Sequence, residues 1–152
     1  PHEEMPPDQS AKIIINHVAE GIELAKKFKL PDRVIDFIRT HHGNSWVYFF
    51  LKKAQEYGED VDEKYFRYPG PRPFSKETAI LMMADSVEAA SKSIKNPSIE
   101  YLTTFVNDII DNQLIDKQFS DSNISLVEIE KVKNVFVNKL INVYNLRVEY
   151  PK

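Results

Sequence analysis

The sequence predicts an all-α fold, and three observations support this prediction. Apolar residues recur at intervals of three or four over most of the chain, which is the spacing of one helix face. Proline and glycine separate these stretches, as they commonly do between helices. The alternating pattern of a β-strand is absent apart from a short tail, RVEYP, residues 147–151. A chain of 152 residues can bury a core of its own, so one domain is expected over residues 1–152.

The first part of the chain predicts three helices. The first covers residues 8–29, and Pro31 suits the first turn of the second. The second is expected to run to about His42, where Gly43 is a natural stop. The aromatic segment 45–58 predicts the third. An apolar stripe on the first helix is expected to face the core, and it consists of Ile13, His17, Gly21, Leu24 and Phe28.

The fourth and fifth helices follow an irregular stretch, residues 59–75, which contains FRYPGPRPFS. The fourth helix is expected to start near Ser75 and to continue through KETAILMMADSVEAASKSI. The pair Asn96-Pro97 predicts the cap and first turn of the fifth helix, which should end near Gln118.

The last helix is predicted over residues 126–146. The string SLVE, residues 125–128, has the serine and glutamate of a capping box three positions apart. Its apolar positions are expected to pack in the core without implying a cofactor, and they are Ile129, Val132, Phe136, Leu140 and Val143. Packing is also expected for the aromatic residues Trp46, Tyr48 and Phe49.

Charge and composition exclude several classes of function. The net charge is −3 and the pI about 5.8, so no overall positive field attracts nucleic acid. Cysteine is absent, which excludes disulfides, thiolate metal sites and cysteine nucleophiles. No apolar run approaches the roughly 20 residues that span a bilayer. The chain begins PHEEMPP without an initiator methionine, so it is expected to be a piece of a longer protein.

Two of the four histidines, His41 and His42, are adjacent at the predicted end of the second helix. One interpretation is a helix C-terminus, where histidine complements the helix dipole. The other is a pair of ligands facing one pocket. Consecutive helical residues point about 100° apart, so this requires the backbone to turn at the helix end. His17, on the stripe of the first helix, is either a core histidine bonded to a carbonyl or a third ligand.

Asp85 lies within the apolar run AILMMADSVEAA. A carboxylate buried alone costs several kcal/mol, so it needs a metal, a cation or strong donors. The alternatives are an ion pair with an arginine such as Arg39, or simple exposure beside Glu88. Three imidazoles and a carboxylate suit a divalent metal ion. Their spacing matches no tight ligand motif such as HExxH, so the residues alone do not specify a metal site.

Four strings taken together resemble a known family. They are IIINHVAEGIELAKKFKLP, IRTHHG, FRYPGPRPFSKETAILMMADSVEAA and YNLRVEYP, and they match in order over essentially the whole chain. They are similar to the cytoplasmic HD-hydrolase domain of the seven-transmembrane HD proteins, which are bacterial cyclic di-AMP phosphodiesterases. The resemblance implies an HD-domain-like helical bundle that hydrolyses cyclic di-AMP to the linear dinucleotide. It also implies a parent protein anchored in the bacterial inner membrane, with this domain on the cytoplasmic side.

The resemblance further implies two divalent metal ions, with iron or manganese expected. His17, His41 and His42 match ligands of one ion and Asp85 matches a ligand of its neighbour; no other catalytic residue is implied. The family pattern begins earlier, with a histidine and then a His-Asp dipeptide whose aspartate bridges the ions. This chain contains no His-Asp pair. The domain is therefore expected to be N-terminally truncated, and this chain alone to hydrolyse cyclic di-AMP poorly or not at all.

Arg67 and Tyr68 are candidate substrate-binding residues, which the resemblance places beside the metal cleft. A guanidinium suits phosphate and a tyrosine ring can stack on adenine; the alternative is a proline-rich surface loop with solvated charges. Other functions left open are a non-catalytic nucleotide-sensing or regulatory module, and an HD hydrolase of another nucleotide. Absence of the earlier helices would expose apolar faces of the first two helices and favour a homodimer.

Overall fold

A computed structural model describes residues 4–58, 60 and 62–146. This part of the chain contains six α-helices and no strand, which confirms the all-α prediction. The predicted strand-like tail lies outside the described residues. None of the described helices is long and apolar enough to cross a membrane. The elements are α1 (Pro7–Lys27), α2 (Asp32–Thr40), α3 (Tyr48–Glu56), a 3-10 turn (Glu63–Phe66), α4 (Lys76–Ser91), α5 (Ile99–Ile115) and α6 (Leu126–Val143).

The chain divides into two compact units, Pro1–Pro73 and Phe74–Lys152. In the first unit, α1 packs against α2, α3 and the 3-10 turn. Gly21 allows α1 and α2 to approach closely, because a Cβ there would lie 3.2 Å from Cγ2 of Ile38. The buried core of this unit consists of Ala11, Val18, Val47, Phe50, Leu51, Ala54, Phe66 and Tyr68.

Two short segments, residues 45–47 and 66–68, pair in the first unit. The backbone N–H of Val47 donates to the carbonyl of Phe66 at 2.6 Å, and that of Tyr68 donates to Ser45 at 2.9 Å. Trp46 and Arg67 face each other between these bonds as an isolated antiparallel bridge. The pairing fixes the backbone just after the His41-His42 pair against the segment Arg67-Tyr68-Pro69, called the RYP segment below.

The predicted core face of α1 is wrong for its bulky residues. Phe28 is 68% exposed, and Ile13 and Leu24 are exposed as well. The face of α1 that packs against the core is offset from this stripe, and it also carries bulky residues, Ile15 and Ile22, which pack partly buried against the core. Both faces have apolar residues at helical spacing, so the spacing alone does not distinguish them. The buried line of α1 includes Ala11, Val18 and Ala25.

The aromatic residues before and within α3 are only partly in the core. Trp46 packs against it, as expected. Tyr48 and Phe49 are exposed, which contradicts the packing prediction, and Phe50 and Leu51 are buried instead. A run of four large apolar residues does not reveal which of them face inward.

In the second unit, α5 packs against both α4 and α6. Ile129 and Leu140 of α6 are buried as predicted, and Val132 and Phe136 pack against the core. Val143, in the last turn, is exposed, contrary to the prediction. The buried core consists of Ala79, Met82, Met83, Val87, Leu102, Val106, Ile110, Phe119, Ile129, Leu140 and Ile141.

The helix caps of the second unit refine the predicted boundaries. The capping box at Ser125 is present, as predicted. The cap of α5 is Ser98 rather than Asn96. Asn96 has a φ of 49°, a left-handed conformation, whereas an N-cap residue is normally extended. The last helix ends at Val143, three residues before the predicted end.

Candidate metal centre

Three histidines from two helices converge in the first unit. His17 lies on α1, and His41 and His42 follow the last residue of α2. Gly43 has a φ of 51°, so the chain turns directly after the pair, and its N–H donates to the carbonyl of Thr40 at 2.8 Å. This turn lets two consecutive side chains reach one point. One ligand atom from each histidine lies within 4.8 Å of the others, and no further carboxylate or histidine joins the group among the described residues.

The backbone fixes the orientation of two of the rings. Nδ1 of His17 contacts the carbonyl of Ile14, and Nδ1 of His41 lies 2.6 Å from the carbonyl of Ile38. A carbonyl oxygen only accepts hydrogen bonds, so each Nδ1 carries the proton. The opposite nitrogen, Nε2, is then the ligand atom of each ring. Histidines that bind metals commonly have this arrangement, with the second ring nitrogen donating to a carbonyl.

The spacing of these nitrogens fits a single ion. Nε2 of His17 lies 3.3 Å from Nε2 of His41. Two imidazole nitrogens that each lie about 2.1 Å from a shared ion stand roughly 3.0–3.4 Å apart in tetrahedral or octahedral geometry. A hydrogen bond between the two nitrogens would need a proton on one of them, and the Nδ1 contacts already account for that proton in a neutral ring. The donor set therefore fits a divalent metal ion.

His42 is enclosed by other rings. Its ring centroid lies 4.0 Å from that of His41 and 5.0 Å from that of His17. Burial, together with the charges that His41 and His17 would carry, lowers the pKa of His42 to about 3. His42 is therefore neutral near pH 7, which is the form that binds metal.

His17 is exposed, while His41 and His42 are half-buried. The expectation that His17 points into the core is therefore wrong, although its contact with a backbone carbonyl is present. His17 is offset around α1 from the buried residues Val18 and Ala25. The histidine cluster consequently lies at the surface of the first unit.

Tyr68 packs against the cluster. Its ring stacks on His42 with a centroid distance of 4.4 Å and an angle of 17° between planes, and it meets His17 edge-on at 6.0 Å. Tyr68 is only 8% exposed. The sequence singled out Tyr68 as a substrate contact but contained no indication that it packs against the two histidines.

Arg67 precedes Tyr68 in the chain, and its side chain contacts Trp46 and Asn44. Its guanidinium lies 3.6 Å from the centroid of the Trp46 ring, and Nη1 donates to the carbonyl of Asn44 at 2.8 Å. Sequence reasoning missed Asn44 in this role and assigned Trp46 to packing alone. Nothing in the sequence indicates which aromatic ring the arginine of the RYP segment will contact.

The HD domain family matches residues 1–90. The chain belongs to the HD domain family. That span includes the three histidines and also Asp85, and the family prediction is confirmed. Asp85 of this HD domain lies on α4 in the second unit, where it is half-buried between the buried residues Met82 and Val87.

Two curated relatives of this HD domain are cyclic-di-AMP phosphodiesterases. The chain is 40% identical over its whole length to the cyclic-di-AMP phosphodiesterase PgpH of Bacillus subtilis, of which it covers 21%. It is 36% identical, over 99% of its length, to the protein of the same name from Listeria monocytogenes, again covering 21%. The chain thus spans about a fifth of the length of the curated relatives it matches.

Solved structures confirm the fold. The crystal structure of the L. monocytogenes PgpH HD domain matches with a TM-score of 0.88 at 35% identity, over 95% of this chain and 67% of that one. The same domain in complex with cyclic-di-AMP matches with a TM-score of 0.91 at 36% identity, with the same coverage of both chains. The predicted HD-like helical fold is therefore confirmed.

Proposed function

We propose that this chain is the metal-binding part of a phosphodiesterase that opens cyclic di-AMP to the linear dinucleotide. The observation that carries the proposal is the convergence of His17, His41 and His42, two of them oriented by backbone carbonyls. The substrate is supported by the related HD domain solved in complex with cyclic-di-AMP. From the family resemblance, the parent protein is proposed to be anchored in the bacterial inner membrane, with this domain on the cytoplasmic side.

The three histidines are proposed to hold one divalent ion and Asp85 to be a ligand of a neighbouring one, with iron or manganese as the ions. A pair of such ions, when bound, supplies an activated water and neutralises charge on the phosphodiester. This chain holds the donor nitrogens in place before the metal binds. His17 and His41 do so by donating Nδ1–H to carbonyls of their own helices. Ligands fixed in this way reorganise little on binding.

Arg67 and Tyr68 are proposed to contact the substrate. Both line a pocket of about 710 Å³ that also includes Lys12 and Lys64. Tyr68 lies against two of the three histidine rings. A guanidinium recognises phosphate through parallel N–H donors, so a cyclic dinucleotide offers Arg67 a suitable partner.

The site is proposed to be incomplete in this chain, with the bridging aspartate of a His-Asp pair supplied by earlier helices of the parent domain. Apolar side chains exposed on and between α1 and α2 support this proposal. These exposed side chains are Ile13, Leu24, Phe28, Leu30 and Val34.

In this chain alone the same surface favours a homodimer. Light scattering tests the dimer, and a monomer that unfolds cooperatively would contradict it.

Metal content tests the histidine site. The purified chain is incubated with Mn²⁺, desalted and measured by plasma mass spectrometry. We expect about one ion per chain, as for a single three-histidine site, and none in the double variant His41→Ala/His42→Ala. The variant Lys27→Ala/Lys29→Ala, which changes exposed residues near the end of α1, is the matched control and should keep the ion. Equal metal content in the unsubstituted chain and the histidine variant would overturn the assignment of the three histidines as metal ligands.

Hydrolysis of cyclic di-AMP tests the activity. We expect turnover from a chain extended N-terminally in the parent protein, loss of turnover in its Asp85→Ala variant, and little or none from the 152-residue chain. Metal-dependent turnover by the short chain, abolished by Asp85→Ala, would refute the proposed truncation.

The extended chain also separates the other functions. Binding without turnover would favour a regulatory module, which the lack of a His-Asp pair in this chain makes the second candidate. Parallel assays with cyclic di-GMP and mononucleotides would reveal a hydrolase of another nucleotide.

A further inference from the structure

The segment that contains Tyr68 is built as a support for the histidine cluster. Its backbone pairs with residues 45–47, which begin three residues after His42. The same pairing therefore fixes both the chain that leaves the histidine pair and the segment that carries the tyrosine ring. His42 and Tyr68 keep their relative position because the same backbone pairing holds both.

The side chains of Arg67 and Tyr68 have different partners. Arg67 is extended, with a φ of −104° and a ψ of 142°, and neighbouring residues of an extended chain point to opposite sides. Tyr68 belongs to the buried core of the unit. Arg67 lies over Trp46 and donates to the carbonyl of Asn44. Arg67 thus secures the outer side of the paired segments, while Tyr68 faces the histidines.

The contact between Tyr68 and His42 restricts the imidazole. The two rings are nearly parallel, and His41 and His17 approach from other directions. Rotation of the His42 ring would break the stack or collide with one of these neighbours. Since Tyr68 is itself buried, it yields little when the imidazole moves.

We infer that Tyr68 is a positioning residue for the metal site: its ring, held by the backbone pairing that Arg67 secures, fixes the His42 imidazole in the orientation in which it joins His17 and His41. The inference rests on the proposed function, because it assumes that the three histidines bind a metal ion. It is separate from substrate contact, since the ring positions the ligand whether or not substrate is present.

Metal affinity of the 152-residue chain tests the inference without an activity assay. Co²⁺ is titrated into the metal-free chain and followed by calorimetry and by its visible absorption. Partners that orient metal ligands typically change affinity by about 10–100-fold. We expect a loss of this size in Tyr68→Leu, which removes the flat ring, and nearly unchanged affinity in Tyr68→Phe, which keeps it.

Tyr65→Leu is the matched control, because Tyr65 is 58% exposed and the tyrosine ring that contacts His17 and His42 is that of Tyr68. It should bind Co²⁺ as tightly as the parent chain. Equal affinity in Tyr68→Leu and Tyr65→Leu would overturn the inference while leaving the metal site intact. Failure of the unsubstituted 152-residue chain to bind Co²⁺ would instead overturn the proposed function.

Arg67→Ala covers the case in which Tyr68→Leu fails to fold. Arg67 is half-buried outside the core cluster, so its removal should leave the fold intact. We expect weaker Co²⁺ binding and a shift of the His42 ring resonances in the NMR spectrum of the metal-free chain. Unchanged affinity and unchanged His42 resonances in folded Arg67→Ala would contradict the inference.

Discussion

The two units begin their helices in different ways. In the second unit, α4, α5 and α6 each have a serine N-cap whose hydroxyl accepts a backbone N–H: Ser75, Ser98 and Ser125. Two of these are complete capping boxes. In the first unit, the N-cap residues are Pro6, Pro31 and Val47, and none makes a side-chain cap bond. Local sequence thus stabilises the helix starts of the second unit much more than those of the first.

The two units also differ in the size of their buried cores. Among the described residues, the core of the second unit consists of eleven buried residues, and Leu102, Val106 and Ile110 of α5 are fully buried in it. The core of the first unit consists of eight buried residues. The unit with the histidine cluster therefore has the weaker caps and the smaller core. Regions that bind ligands are commonly the less stable parts of a fold.

Removing a core side chain of the second unit should have the largest effect. Leu102→Ala leaves a cavity at a fully buried position, so we expect a loss of about 2–5 kcal/mol in the free energy of unfolding. Urea denaturation followed by circular dichroism measures it. Ile115→Ala, at a position that is 77% exposed, should change stability by less than about 0.5 kcal/mol. Similar losses in both variants would contradict the burial of Leu102 in the core of the second unit.

Local signals predicted much of the second unit. The capping box at Ser125 depends on residues three apart in sequence, and its reciprocal hydrogen bonds with Glu128 are present. The cap at Ser98 was missed because Asn96-Pro97 is an equally common signal, and only the backbone conformation of Asn96 distinguishes them. Signals that act over one helical turn can be read from sequence; the choice between two neighbouring signals cannot.

The candidate site was predicted in its residues but not in its construction. The turn at Gly43, which lets His41 and His42 reach one point, follows from glycine directly after the pair. The stack of Tyr68 on His42 joins residues 26 positions apart in sequence. It depends on the backbone pairing of two short segments, and neither hydrophobic periodicity nor a motif in this chain encodes that pairing.

Acid should destabilise the metal-free chain through His42. Its pKa is about 3 in the folded protein, well below the ordinary value of 6.5 for an exposed histidine. Between these values the unfolded chain binds more protons, so stability falls as pH decreases from about 6.5 toward 3. One proton corresponds to a slope of at most about 1.4 kcal/mol per pH unit. Urea denaturation in chelator at about pH 7, 6 and 5 measures the slope.

The variant His42→Gln separates the effect of protonating His42 on stability from the effect of protonating carboxylates. Because glutamine does not titrate in this range, the variant should lose stability less steeply than the parent chain between about pH 7 and 5. The same slope in both chains would show that His42 is not shielded from protonation.

Removing a cap from the second unit should have a smaller effect. The hydroxyl of Ser125 accepts the N–H of Glu128 at the start of α6. We expect Ser125→Ala to lower the free energy of unfolding by about 1 kcal/mol, the usual cost of losing a serine cap. Ser125→Asp is the control, since its carboxylate can also cap and should retain most of the stability. A neutral Ser125→Ala would mean that caps do not distinguish the two units.

Adding a cap to the first unit should have the smallest effect on stability. The informative quantity is the difference in stability between Pro31→Ser and Pro31→Ala. Pro31 precedes α2 with φ −58° and ψ 148°, which serine also adopts, and its carbonyl already accepts the N–H groups of Val34 and Ile35. Pro31→Ser gains a hydroxyl acceptor but loses the restriction that proline places on the unfolded chain, worth about 0.4–1 kcal/mol. Pro31→Ala loses the same restriction without gaining a cap. Urea denaturation should therefore rank Pro31→Ser above Pro31→Ala; equal stability of the two would show that α2 gains nothing from a side-chain cap.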